Sequence, residues 1–336
     1  MPLSLVTGGA GFIGSHVVDE LIEMGHQVVV LDDLSGGFAE NVNPAAAFVQ
    51  GSVTEAAVVD ALFQQNRFDF VYHLAAYAAE GLSHFIRRFN YTNNLIGSVN
   101  IANAAVNSGS VRCLVFTSSI AVYGRNQVPM TEEALPQPED PYGIAKHAFE
   151  LDLHSLHGMF GMPSIIFRPH NVYGERQNIG DRYRNVIGIF MNQALHGEPF
   201  TVFGDGSQTR AFSHIDDVAP ILARSVERPQ AYNQTFNVGA DTPYSVSELA
   251  EQVAEAMGVP LRVEHLPERN EVAHAYASHA KVRAVFGDLI RDVPLRQGLD
   301  EMAAWARRHG SRETAAPPVE VAKNMPPSWA RLVERM

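Results

Sequence analysis

Gly8-Gly9-Ala10-Gly11-Phe12-Ile13-Gly14 stands between the apolar run Leu3–Thr7 and a helical pattern over Phe12–Met24. A turn this tight from strand to helix needs backbone dihedrals that glycine tolerates. Gly11 lets an anionic diphosphate approach the main chain, and Gly14 lets the helix pack close to the strand. Unpaired N–H groups at the helix N-terminus then face the charge. Eighteen residues beyond Gly14, Asp32 ends a second apolar run, Val28–Asp32. An acid there accepts hydrogen bonds from the ribose hydroxyls of an adenine dinucleotide, and with Asp33 beside it repels a 2′-phosphate. Strand, glycine turn, helix, strand and acid together predict a dinucleotide site that takes NAD(H) rather than NADP(H). A structural glycine turn beside a solvated Asp pair is the competing reading.

Working outward, the alternation continues. Strands are expected at Phe48–Gln50, Phe70–Leu74, Cys113–Thr117 and Ser164–Arg168, with helices near Glu55–Gln64, Asn93–Asn107 and, opened by Pro141, Tyr142–His157. Strands alternating with helices predict an α/β architecture around a parallel sheet. After Arg168 the rhythm loosens into a polar stretch, Asn171–Asn185, suited to a polar ligand. Helices Val186–His196, Val246–Met257 and Leu299–Arg308 and a short strand Phe200–Val202 follow. The expected organisation is a dinucleotide domain over residues 1–170, a smaller α+β domain over 171–320 and a tail over 321–336. A part near 214–240 is expected to pack back on the first domain. Residues Ser311–Met336 carry four prolines and should wrap the surface or fray.

Composition sets the bounds. At 336 residues, with 46% apolar and 18% charged, the chain can bury a large core and is too apolar to be disordered. A net charge of −12 without a long basic run makes nucleic acid and anionic membrane poor partners. One cysteine, Cys113, allows neither an internal disulfide nor a cysteine metal cluster, so no metal is expected and a reducing cytoplasm is the simplest home. Met1 leads straight into a strand pattern without a signal peptide's basic start, which points the same way. The uncharged stretch Phe89–Val111 is 23 residues long but holds six asparagines, so a helix in water is expected.

Tyr142 and Lys146 follow Asp140-Pro141, a capping pair, and four-residue spacing puts both on one helical face. A tyrosine titrates near ~10 and is a poor base at neutral pH. A neighbouring ammonium and an oxidised nicotinamide would both favour phenolate and draw that value down. An exposed Tyr–Lys pair would look the same. Thr117-Ser118-Ser119-Ile120-Ala121-Val122-Tyr123-Gly124 leaves a strand at its carboxyl end, which in a parallel sheet faces the ligand crevice.

Thr7-Gly8-Gly9-Ala10-Gly11-Phe12-Ile13-Gly14, with its Gly-x-x-Gly-x-x-Gly spacing, resembles the extended short-chain dehydrogenase/reductase family of nucleotide-sugar enzymes, and the likeness runs from about Leu3 to Gly287. The resemblance implies a Rossmann-type doubly wound parallel sheet with a smaller α+β C-terminal substrate domain, NAD as cofactor and a UDP-sugar substrate. It implies a triad in which Tyr142 is the general base, Lys146 its partner and Ser119 the hydroxyl that meets the reacting sugar oxygen. It places Gly8, Gly11, Phe12, Ile13, Gly14, Asp32, Asp33, Ser52, Val53, Leu74, Ala75, Ala76, Asn94 and Thr117 at the cofactor, with Tyr142 and Lys146. Ser52 stands where relatives often carry an Asp for the adenine amino group.

On the substrate side the resemblance puts Asn171 at the sugar or diphosphate, and Asn185 and Val186 at phosphate and uracil. Phe203, Gln208 and Arg210 would hold the nucleotide and clamp the diphosphate, with Arg269 as a second clamp. Ala275 falls where galactose epimerases carry a gate residue, and alanine leaves room for a 2-acetamido group. Arg176, Arg182 and Arg184 would either read a C6 carboxylate or form a solvated loop. Dehydratases and decarboxylases of the family carry acids before Val-Tyr-Gly; here Ile120 and Ala121 fill those places, and neither moves a proton. The pattern therefore resembles the 4-epimerases. Another modifier of the same fold (dehydratase, decarboxylase or 4-ketoreductase) and a non-catalytic NAD(H)-binding module are the alternatives. Relatives pair the helices near Asn93–Asn107 and Tyr142–His157 across a two-fold axis, which implies a homodimer.

Overall fold

A computed structural model describes residues 1–268, 272–312, 314–327 and 329. The first part of the chain alternates β1 (Leu3–Thr7), α1 (Phe12–Glu23), β2 (Gln27–Asp32), β3 (Ala47–Gln50), α2 (Ala56–Gln65) and β4 (Phe70–His73). Short helices α3 (Glu80–Ser83) and α4 (Arg87–Tyr91) lead through a π-helical turn, Thr92–Ile96, into α5 (Gly97–Ser108). Then come β5 (Cys113–Thr117), α6 (Pro141–Phe160) and β6 (Ser164–Pro169). Beyond β6 the chain forms β7 (Val172–Tyr173), α7 (Val186–His196), β8 (Phe200–Phe203), β9 (Thr209–Ala211), β10 (Ser213–His214), α8 (Ala219–Arg224) and β11 (Gln234–Val238). It ends with β12 (Pro243–Ser245), α9 (Val246–Met257), β13 (Val263–Leu266), β14 (His274–Ala275), α10 (Ala280–Phe286) and α11 (Leu295–His309).

Seven strands form one parallel sheet in the order β11-β6-β5-β4-β1-β2-β3. Its inner strands are apolar on both faces because helices cover both, while the edge strand β3 is largely exposed. Leu5, Leu31, Val71, Leu114 and Ile166 point to one side, with Phe149 of α6; Val6, Val30, Tyr72, Val115 and Phe167 point to the other, with Val17 and Val18 of α1. Strand order reverses between β2-β1 and β4-β5, so a crevice opens beyond their carboxyl ends. Cys113 lies fully inside this sheet, and burial pushes its thiol pKa up.

The segment near 214–240 supplies the seventh strand. β11 pairs with β6, Phe236 stacks on Phe167 at 5.7 Å, and the Tyr72 hydroxyl donates to the Ala223 carbonyl at 2.7 Å. A second core forms where α7, α9 and α11 meet β8, built on Phe190, Phe200, Leu249, Val253, Leu299 and Met302. α9 opens with a capping box between Ser245 and Glu248. Two expectations shift. The helix expected from Asn93 is a run starting at Arg87 and interrupted by the π turn, and α11 starts a turn early, after Pro294. Among the described residues no helix is long and apolar enough to cross a membrane.

Candidate active site

The cleft beyond the sheet's carboxyl edge holds about 520 Å³. At its floor Gly8 adopts φ +74°, where a side chain would be strained and a Cβ would sit 2.7 Å from the Ala75 nitrogen. A Cβ on Gly14 would lie 2.1 Å from the Gly8 carbonyl oxygen, so close packing of helix against turn demands glycine there. α1 has no side-chain cap at Gly11, which leaves the N–H groups of its first turn for a ligand. Asp32 is nearly buried, and its carboxylate accepts from the Ala10 N–H (3.0 Å) and the Leu34 N–H (2.8 Å). It therefore fixes the glycine turn while keeping lone pairs toward the cleft. Burial raises its pKa, against the pull of those two N–H groups.

Asp140 caps α6 through the Gly143 N–H (2.9 Å), and Pro141 fills the first helical position. That start puts Tyr142 and Lys146 on the cleft wall, 6% and 2% exposed. Ser119, leaving β5, hydrogen-bonds the Tyr142 phenol. The Lys146 ammonium donates to the Thr117 carbonyl at 2.7 Å and lies 5.9 Å from the Tyr142 ring centre. Burial pulls the Lys146 pKa down to about 7, opposed by the Glu150 carboxylate one turn on. Glu150 is itself locked to Arg168 by two bonds of 2.9 and 2.6 Å, beneath the site. The phenol departs from the expected acidification. Burial, then the nearby Glu80 charge, pushes the Tyr142 pKa up, and the Ser119 hydrogen bond only partly opposes this. In the cofactor-free protein, then, burial outweighs the groups that favour phenolate.

Most of the expected residues line this one cleft: Gly8, Gly11, Phe12, Ile13, Gly14, Asp32, Asp33, Val53, Leu74, Ala75, Ala76 and Thr117, and across from them Asn171, Asn185, Val186, Phe203, Gln208, Arg210 and Ala275. Asn171 and Asn185 take φ of 40° and 34°, a region asparagine tolerates. Asn185 caps α7 through the Ile187 N–H, and the Arg210 guanidinium donates to the carbonyls of Val272 (2.5 Å) and Ala273 (2.9 Å). Two expected cofactor residues are not on the cleft wall. The Ser52 hydroxyl turns to Thr54 and accepts the Thr54 N–H. Asn94 is fully buried, holding Tyr77 by both its N–H (2.8 Å) and its carbonyl (3.0 Å), while Asn93 faces the cleft. Arg269 lies outside the described residues. Of the three loop arginines Arg184 lines the cleft, paired with Asp181, whereas Arg176 turns to Asp19.

Sequence reasoning passed over Gln177, Asn178, His170, His84 and Trp329, all on the cleft wall. Gln177 and Asn178 extend the polar loop already singled out and were findable by continuing it. His170 is neutral, its pKa pushed down to about 3 by burial, and donates from Nδ1 to the Ala211 carbonyl.

The model of the NAD dependent epimerase/dehydratase family matches residues 4–239, more than two thirds of the chain. The chain belongs to this family. Among curated relatives of this epimerase/dehydratase chain, a UDP-glucose 4-epimerase of Mycolicibacterium smegmatis is 37% identical over 291 residues, 84% of this chain and 92% of that one. The UDP-glucose 4-epimerase of Thermotoga maritima, solved with UDP-glucose, superposes with a TM-score of 0.86 at 34% identity, over 91% of this chain and 99% of that one. A UDP-glucuronic acid 4-epimerase of Bacillus cereus, solved with UDP-glucuronic acid and NAD, gives 0.82 at 26% identity, over 91% and 99%. The epimerase/dehydratase cofactor is NAD, and the cleft fits it. A Cβ on Gly11 would meet only the Gly8 carbonyl oxygen, at 3.1 Å, so at this cleft-lining position the main chain is open to a ligand, and the Thr117 hydroxyl is buried on the same cleft without a hydrogen-bond partner. Gly11 through Gly14 would hold the diphosphate, Asp32 the adenosine ribose, and Lys146 with Tyr142 the nicotinamide ribose.

Proposed function

We propose that this enzyme interconverts C4 epimers of a UDP-sugar through a transient 4-keto sugar. Bound NAD supplies a hydride acceptor that becomes the donor in the second half-reaction. Tyr142 takes the C4 hydroxyl proton at its phenol oxygen as the C4–H electron pair departs, and returns it after the flat ketone has presented its other face. Ser119 orients that oxygen, and Lys146 steadies the phenolate. Atoms and electrons return to their starting count, so substrate and product are isomers.

One observation carries this reading. Beside Ser119 the cleft wall is Ile120 and Ala121, where elimination or decarboxylation chemistry would need an acid or base. Oxidation and re-reduction at C4 need, besides the hydride acceptor, only the Ser119, Tyr142 and Lys146 set. The test is incubation with UDP-glucose, UDP-N-acetylglucosamine and UDP-glucuronate, followed by NMR and mass spectrometry. Epimers of unchanged mass are expected, and loss of water or carbon dioxide would overturn the proposal. Tyr142→Phe should cut turnover by about a thousandfold while NAD stays bound. Near wild-type turnover in that variant would remove Tyr142 as the base.

A further inference from the structure

The segment after α11 runs across three of the loops that build the cleft. Arg312 pairs with Glu40 and covers the Phe38 ring at 5.1 Å. Asn178 donates to the Thr314 hydroxyl at 3.1 Å. The Glu320 and Val321 N–H groups donate to the Phe85 carbonyl at 2.7 and 3.1 Å. The Glu320 carboxylate in turn accepts the Arg88 and Phe89 N–H groups, at 2.7 and 2.8 Å, capping a helical run 232 residues away in sequence. Trp329, the last described residue, is 6% exposed and lies edge-on to Tyr183 at 5.2 Å and Phe85 at 6.2 Å. The surface beneath is cut to receive it. A Cβ on Gly180 would lie 1.8 Å from the Arg312 carbonyl oxygen, and one on Gly81 would lie 3.0 Å from the Trp329 ring.

We propose that Trp329 is a specificity-determining residue that walls the hexose end of the cleft. Its position within the cleft follows from α3. Gly81, which the indole covers, is two residues from Ser83, and the Ser83 hydroxyl accepts the Tyr142 N–H at 3.3 Å. Trp329 lines the cleft from there, at the end that holds the reacting oxygen, while Asp32 and Val53 lie at the adenosine end. An indole offers a flat apolar face to the C–H face of a pyranose and denies room to bulky or charged substituents. It also keeps water from a ketone intermediate. Nothing in the family match reaches this residue, since Trp329 lies 90 positions beyond its end at 239. The proposal rests on the cleft being a UDP-sugar site, and its test separates the two.

The chain has two tryptophans, so Trp305→Phe leaves Trp329 as the sole emitter. Titrating that variant with UDP-glucose, UDP-N-acetylglucosamine and UDP should give a saturable emission change with a UDP-sugar and a smaller one with UDP. Trp329→Ala should raise KM about tenfold and change the kcat/KM ratio between plain and 2-acetamido hexose by about fivefold or more, with kcat less affected. Trp329→Phe should restore most of the ratio, and Glu320→Ala, which only unpins the strap, should move it in the direction of Trp329→Ala. Flat emission, an equal response to UDP, or an unchanged ratio in folded Trp329→Ala or Glu320→Ala would overturn the wall. An emission change in Trp305→Phe beside a wild type that turns over no UDP-sugar would sink the reaction and leave the wall standing.

Discussion

Lys146 holds its charge out of water, and the consequence can be read on the cofactor-free protein. In the unfolded chain a lysine keeps its proton to ~10.4, whereas burial brings Lys146 to about 7. Between those values the unfolded state binds more protons, so this group makes stability rise with pH across that window. Below about 7 it is charged in both states and its burial cost is felt in full. Lys146→Met should therefore raise the melting temperature at pH 6.5 and flatten its rise toward pH 10, while turnover falls by about a hundredfold or more. Melting scans across pH check this, and an unchanged slope would mean burial is not what holds the pKa down. Asp32→Ala should leave the Ala10 and Leu34 N–H groups without their acceptor, costing about 1–3 kcal/mol. It should also weaken NAD and narrow the gap to NADP, which calorimetric titration with each dinucleotide measures. Asp32, Tyr142 and Lys146 were legible because local spacing sets their placement. That Asp32 also holds the turn was not, since Ala10 comes to it from 22 residues away.

Elements show where periodicity misleads. Reading Asn93–Asn107 as a plain helix takes 3.6 residues per turn, but the π turn over Thr92–Ile96 is wider and shifts the facing residue. Asn93 thus meets the cleft, and Asn94 turns inward to hold Tyr77. Asn94→Ala should cost about 2–3 kcal/mol by stranding a buried N–H and carbonyl, whereas Asn93→Ala should barely change stability and act on cofactor or substrate affinity. Denaturant titration of both variants decides it, and equal losses would contradict the assignment. α6 was easier to read because Asp140 and Pro141 mark its start by local chemistry. Trp329 carried no such mark: a contact with Gly81, 248 residues earlier, has no local signature.

For the molecule as a whole, the decisive fact is that the sheet is finished late. β11 closes its edge, α8 packs on α1, and Ile221, Leu222 and Phe236 complete the core that Val6 and Phe167 begin. A fragment of residues 1–170 would expose Phe167 and the open β6 edge to solvent. It should aggregate or stay unfolded, and the intact chain should melt in one calorimetric transition. A stable, monomeric 1–170 fragment would show the two lobes to be independent. The sheet's single thiol has a practical consequence. Cys113 is sealed at 0% exposure, so a maleimide fluorophore has no native attachment point in the folded protein. One cysteine introduced near Thr314 or Val321 would take the label alone, and its emission would report on the surroundings of that segment as a ligand enters the cleft.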